Sequence, residues 1–127
     1  MRKTILVVED SPTQLRLVKS VLQSRGYHVI TASNGEEGVE IARKERPSLV
    51  VLDVILPGRN GFQVCRDLKN CPDTKDVPVI VLTSKNQDSD RFWGMKQGAD
   101  AYLTKPCTNE DLLAAIARHL PNVCVAS

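Results

Sequence analysis

Leu49-Val50-Val51-Leu52-Asp53 is an apolar run that stops on a carboxylate. A strand with one wet face alternates apolar and polar residues. An unbroken apolar run means that both faces are covered, as in a parallel sheet sheathed by helices. Ile5-Leu6-Val7-Val8 reads the same way and runs into Glu9-Asp10, and Val79-Ile80-Val81-Leu82 runs into Thr83-Ser84. The shorter Ala101-Tyr102-Leu103-Thr104 ends at Lys105-Pro106. Strands of a parallel sheet end on one shared edge, and ligands bind there. Three carboxylates, two hydroxyls and an ammonium are therefore expected in one crevice, a set that suits a divalent cation and a phosphoryl group.

Working outward, helical patterns fill the gaps. Ser11-Pro12 is a cap followed by proline at the first helical position. Leu15, Val18 and Leu22 follow at helical spacing, with Leu17 and Val21 expected to widen the stripe. Gly26 closes this helix, and Tyr27 to Ala32 reads as the second strand. A second helix is expected from about Gly35 to Lys44, with Gly38 inside it and Pro47 past its end. Pro57-Gly58-Arg59-Asn60-Gly61 is turn-rich, and Phe62, Cys65 and Leu68 then mark a short third helix. Asn70 to Val77 reads as a polar loop before Pro78 opens the fourth strand. The fourth helix is expected from about Gln87 to Gln97, stopped by Gly98. Thr108 caps the fifth, whose buried stripe is read as Leu113, Ile116, Ala117 and Leu120, with Pro121 ending it. The alternation specifies a doubly wound (βα)5 α/β domain with a parallel sheet. One domain over 1–121 and a flexible tail over 122–127 are expected.

Composition narrows the function. The chain has 127 residues, 42% apolar and 25% charged, with a net charge of +2. The charge is small and the Lys and Arg residues are scattered, which argues against nucleic-acid binding. No apolar run approaches the length of about 20 residues that a membrane span needs. The start lacks a signal-peptide pattern, so the reading is cytoplasmic, without membrane insertion. The four cysteines, Cys65, Cys71, Cys107 and Cys124, form no C-x-x-C, and the two histidines are His28 and His119. Zinc is not expected, and free thiols are, with Cys124 the most open to oxidation.

Adjacent carboxylates at Glu9-Asp10 repel each other. Alone they would fit a helix N-terminus. With Asp53 and Lys105 alongside they fit a hard cation such as Mg²⁺, which wants oxygen ligands and bridges to phosphate. A carboxylate such as Asp53 can attack a phosphoryl donor and form an aspartyl phosphate. Lys105 is a point-charge phosphate partner, and Pro106 after it could be cis, which would aim the lysine. Thr83-Ser84 adds a hydroxyl and backbone N–H groups.

The ordered set of Glu9-Asp10, Asp53 with Pro57 and Gly61, Thr83-Ser84, and Lys105-Pro106 resembles the receiver domain of two-component response regulators, of the chemotaxis-regulator type. The resemblance runs from Lys3 to about Leu120. It implies a flavodoxin-like sheet in the order 2-1-3-4-5. It further implies that Asp53 accepts a phosphoryl group from a histidine kinase. Asp10 and Asp53 would bind Mg²⁺ directly, Glu9 through water, and Ile55 through its carbonyl. Thr83, the Ser84 N–H and Lys105 would hold the phosphoryl oxygens. Thr83 and Tyr102 would be the switch pair, the tyrosine ring turning inward as Thr83 moves to the phosphoryl group. Output would appear on the fourth helix, fifth strand and fifth helix, for docking of a downstream protein or, if the chain drains a shared kinase, as a phosphate sink. A monomer or weak dimer is expected of such a stand-alone regulator.

The chain departs from the family's commoner residues in Glu9 for Asp, Leu56 for Met and Ser84 for Ala. Ile55 and Lys85 occupy positions that tune phosphoryl lifetime in the family, and bulky Ile55 is expected to hinder the attacking water. The segment from Lys85 to Pro106, with Phe92-Trp93-Gly94, is similar to the small regulators of type IV pilus twitching motility and phototaxis. Trp93 is either a core residue or, if exposed, a partner anchor. Other classes fit less well. A Mg²⁺-dependent Asp-nucleophile phosphatase resembles a D-x-D pattern, and position 55 is Ile. A flavin carrier wants a Ser/Thr/Gly-rich phosphate loop where Glu9-Asp10-Ser11-Pro12 stands. A phosphorylation-independent binding module would not need the full acid set.

Overall fold

The computed structural model describes residues 3–120; the expected 122–127 tail, Pro121 and Cys124 lie outside them. Five strands alternate with five helices: β1 Thr4–Val8, α1 Pro12–Ser24, β2 His28–Ala32, α2 Gly35–Glu45, β3 Leu49–Leu52, α3 Gly61–Asn70, β4 Val79–Thr83, α4 Asp88–Lys96, β5 Ala101–Thr104 and α5 Asn109–His119. The strands form one parallel sheet in the order β2-β1-β3-β4-β5, the flavodoxin-like order expected.

The continuous apolar runs bury both faces by simple alternation. Leu6, Val8, Val50, Leu52 and Val81 face Ala42 of α2 and Val64, Cys65 and Leu68 of α3. Ile5, Val7, Leu49, Val51, Ile80 and Leu82 face Leu22 of α1 and Leu112, Ala115 and Ile116 of α5. Every residue of β3 and β4 is buried. Each buried Leu or Ile removed from water contributes about 1.5–3 kcal/mol before chain entropy is counted.

The helix starts follow local chemistry. The side chains of Ser11, Asn34, Asn60 and Thr108 accept the backbone N–H three residues on, capping α1, α2, α3 and α5. α4 begins differently: Asp90 reaches back to accept the Gln87 N–H at 3.3 Å. Gly98 follows α4 with φ 103, a left-handed turn open to glycine.

Several helix faces differ from the expectation. Leu17 is 57% exposed: two residues past Leu15 it has turned about 200°, across from the Leu15–Val18–Leu22 stripe. In α5 the buried residues are Leu112, Ala115 and Ile116, and Ala117 is exposed. Consecutive Leu112-Leu113 and the scattered alanines allow two readings of the stripe about 100° apart. Trp93 is exposed, so the core reading of it is wrong in this fold. The expected polar loop follows α3 over 71–77, and within it the buried Thr74 donates its hydroxyl to the Leu68 carbonyl at 2.7 Å, closing α3. Among the described residues Cys65, Cys71 and Cys107 are free thiols, and burial pushes the Cys65 thiol up to about 11.

Candidate functional site

The strand register builds the site. Val8 pairs with Leu52, so the next residues, Glu9 and Asp53, emerge side by side at the carboxyl edge. Thr83 pairs with Thr104, which delivers Lys105 beside them. The Lys105–Pro106 peptide is cis. Lys105 Nζ donates to Glu9 Oε1 at 2.8 Å and to Asp53 Oδ2 at 3.1 Å. The other carboxylate oxygens take backbone donors: Asp53 Oδ1 from the Ile55 N–H at 2.9 Å, and Glu9 Oε2 from the Ser11 N–H at 3.2 Å. Gly61 closes the site from beneath, because a Cβ there would collide with the Asp53 carbonyl oxygen and would stand 2.5 Å from Val54 Cα.

The expected cluster is thus assembled in part. Glu9, Asp53 and Thr83 are buried together and Lys105 joins them. Asp10 is exposed at the lip, Ser84 stands on the exposed rim, and the Ile55 side chain is 52% exposed beside Asp53. Among the described residues, no three His, Cys, Asp or Glu side chains converge closely enough to hold a metal ion as they stand. The reason is visible in the bonding: the ammonium occupies the inner carboxylates, and the third carboxylate faces solvent.

Electrostatics separates the two inner acids. Burial raises the Glu9 carboxyl above its ordinary value, and Lys105 and the Ser11 N–H do not fully offset it. Asp53 also loses water, but hydrogen bonds from the Ile55 N–H, Thr83 and Lys105 outweigh that loss and hold it below the ordinary carboxylate range. Burial alone would lower Lys105, yet its bonds to Glu9 and Asp53 raise it. The crevice therefore holds an ionised, hydrogen-bonded Asp53 and a charged lysine.

Tyr102 is already inward. Its ring is buried, its hydroxyl donates to the Lys85 carbonyl at 2.9 Å, and the Lys85 N–H points to Thr83 Oγ1 at 3.4 Å. Two neighbours of this ring had no contact with it assigned from the sequence. Arg91 donates to the Tyr102 carbonyl at 2.8 Å and lies over the ring, and Gly94 abuts it. A glycine inside a helix was the only available signal, and it does not name its contact.

With this geometry in view, comparison with known proteins is specific. The response regulator receiver domain model matches residues 5–117. Protein PilH of Pseudomonas aeruginosa is 46% identical over 112 residues, covering 88% of this chain and 93% of that protein. The probable transcriptional regulator ycf27 of Porphyra purpurea is 46% identical over 115 residues, 91% of this chain but 46% of that protein, so the chain spans about half the length of that relative. Among solved structures, the receiver domain of a Syntrophus aciditrophicus signal transduction histidine kinase superposes with a TM-score of 0.88 at 38% identity, covering 98% of this chain and 95% of that one. The receiver domain of a Pseudomonas aeruginosa sensor histidine kinase, with a magnesium ion coordinated in its active site cleft, gives 0.87 at 28% identity, covering 94% and 98%.

Proposed function

The chain belongs to the response regulator receiver domains, and on that premise we propose that Asp53 is its phosphoryl acceptor and a histidine kinase its donor. The supporting observation is Asp53 itself: a carboxylate held ionised at the sheet edge, with Lys105 and Thr83 beside it. One Asp53 oxygen bonds to phosphorus as the phosphorus–nitrogen bond of the donor phosphohistidine breaks. The electron pair of that bond returns to the imidazole. Lys105, the Thr83 hydroxyl and the Ser84 N–H then hold the phosphoryl oxygens. Water attack on phosphorus later returns the carboxylate and releases inorganic phosphate.

Mg²⁺ fits the donor set. Two buried carboxylates share one ammonium and a third waits at the lip, all of them hard oxygen donors. Asp10, Asp53, the Ile55 carbonyl and, through water, Glu9 would hold it. It would supply charge neutralisation for the incoming phosphoryl group.

Receiver domains are signalling switches. Here the output we propose runs from Thr83 through Tyr102 to the α4–β5–α5 face, where a downstream protein docks. The setting proposed is the cytoplasm, and the pathway is pilus-based motility or phototaxis, which the 85–106 segment suggests. In the described residues no helix is long and apolar enough to cross a membrane.

The deciding experiment is intact mass after incubation with Mg²⁺ and acetyl phosphate. Wild type is expected to gain one phosphoryl mass and Asp53→Asn none; equal gain in both would overturn the assignment. Ile55→Asn is expected to speed loss of the phosphoryl group on the order of tenfold, about 1.4 kcal/mol of barrier. An unchanged decay rate would remove Ile55 as the shield.

A further inference from the structure

α4 is shaped around the Tyr102 ring. A Cβ on Gly94 would stand 2.7 Å from Tyr102 Cδ2, 2.8 Å from Cε2 and 3.3 Å from Phe62 Cε1. Glycine inside a helix is costly relative to alanine, and the glycines with positive φ are Gly26, Gly58 and Gly98. The backbone at Gly94 therefore makes no demand for glycine; the ring does. One turn before, the Arg91 guanidinium lies 5.4 Å from the ring centroid and donates to the Tyr102 carbonyl at 2.8 Å. It forms no ion pair among the described residues, so the aromatic face and the carbonyl are its partners.

The helix cannot easily back away from the ring. Its carboxyl end is tied down by Cys65 Sγ to the Gln97 carbonyl at 3.5 Å and by the Asp100 N–H to the Val79 carbonyl at 2.8 Å. The ring can move, by rotation about its χ1. Beside it lies a groove of about 390 Å³ between α4 and α5, lined by Arg91, Tyr102, Asp111 and Arg118 among others. The side chain that pins the ring thus also borders the output face.

We propose that Arg91 and Gly94 are positioning residues that hold Tyr102 inward before any phosphoryl group is attached, so that phosphorylation reinforces an output face already formed. This rests on the reading of Thr83 and Tyr102 as the switch pair. A modification can shift an equilibrium only by its differential interaction with the two states. Where the inward state already dominates, little of the ring's position is left to change.

The test uses the full chain, with tyrosine labelled with ¹³C at the ring ε positions. There are two tyrosines, Tyr27 and Tyr102, and Tyr27→Phe assigns the signals. A soluble paramagnetic chelate broadens exposed rings, with no Mg²⁺ or phosphoryl donor present. Wild-type Tyr102 is expected to be protected. Gly94→Ala is expected to lose that protection while Tyr27 stays unchanged. Arg91→Ala is expected to lose part of it and Arg91→Lys to regain some, a rescue that a merely structural arginine would not give. Beryllofluoride with Mg²⁺ is expected to leave the wild-type signal in place and to return Gly94→Ala toward protection. A broadened Tyr102 in wild type, or a protected one in Gly94→Ala, would overturn the proposal, and the wild-type spectrum decides even if a variant fails to fold. Failure of the Asp53 reading is seen separately, as no mass gain with acetyl phosphate.

Discussion

Two lysine–aspartate pairs sit at opposite edges of the same sheet. At the amino edge, Lys69 Nζ donates to Asp100 Oδ2 at 2.9 Å and to the Val77 carbonyl at 3.0 Å, and Asp100 Oδ2 also accepts the Val79 N–H at 2.8 Å. One ammonium meets one carboxylate, and both are anchored to the backbone that starts β4. At the carboxyl edge, Lys105 is divided between Glu9 and Asp53, and Asp10 lies outside its reach. The first arrangement is closed; the second is short of positive charge. Burial and a shared counter-ion make the carboxyl-edge cluster the candidate functional site, whereas a balanced pair fixed to backbone is architecture.

Three measurements would break or sharpen that contrast. Mg²⁺ at a hundred times its Kd is expected to stabilise wild type by about 2.7 kcal/mol, read as a rise in Tm. Lys69→Met should keep this response, Asp53→Asn should lose it, and Asp10→Asn should weaken it. A Lys69→Met protein that no longer responds would mean the two edges are not independent. Next, Lys69→Met alone is expected to lower stability by about 1 kcal/mol, since it takes a charged donor from the Val77 carbonyl while Asp100, exposed to water, keeps the Val79 N–H. Its phosphoryl uptake from acetyl phosphate should be unchanged.

The smallest effect separates the two inner acids. The folded chain holds the Glu9 proton more tightly than the unfolded chain, so the contribution of Glu9 is full below its ordinary value of 4.5 and is lost as pH rises through the raised one. Asp53 is lowered, so its contribution is present above its ordinary value of 3.8 and is lost as pH falls through the depressed one. At pH 7, Glu9→Gln is therefore expected to raise Tm and Asp53→Asn to lower it. Both differences should close on acidification, that of Glu9 at the higher pH. Equal signs at pH 7 would show that Lys105 treats the two carboxylates alike.

Much of this was legible in the sequence because it is written in short windows. An apolar run followed by a carboxylate is a strand and its end, and Ser11-Pro12 and Thr108 announce helix starts by local hydrogen bonding. Faces were less legible. Leu17 and Ala117 carry apolar side chains yet turn outward, because the helical period is fixed by whichever neighbours the helix meets. Trp93 could have been core or surface, and its exposure follows from Gly94, not Trp93, meeting Tyr102.

The sequence by itself determined the strand–helix alternation, the parallel sheet and the residue types at its carboxyl edge, since each depends on residues a few positions apart. Only the tertiary structure decided which of Glu9 and Asp10 turns inward, how one lysine is shared, and that Arg91 and Gly94 close on Tyr102. Those contacts join residues 8 to 96 positions apart, through space that local propensity does not describe.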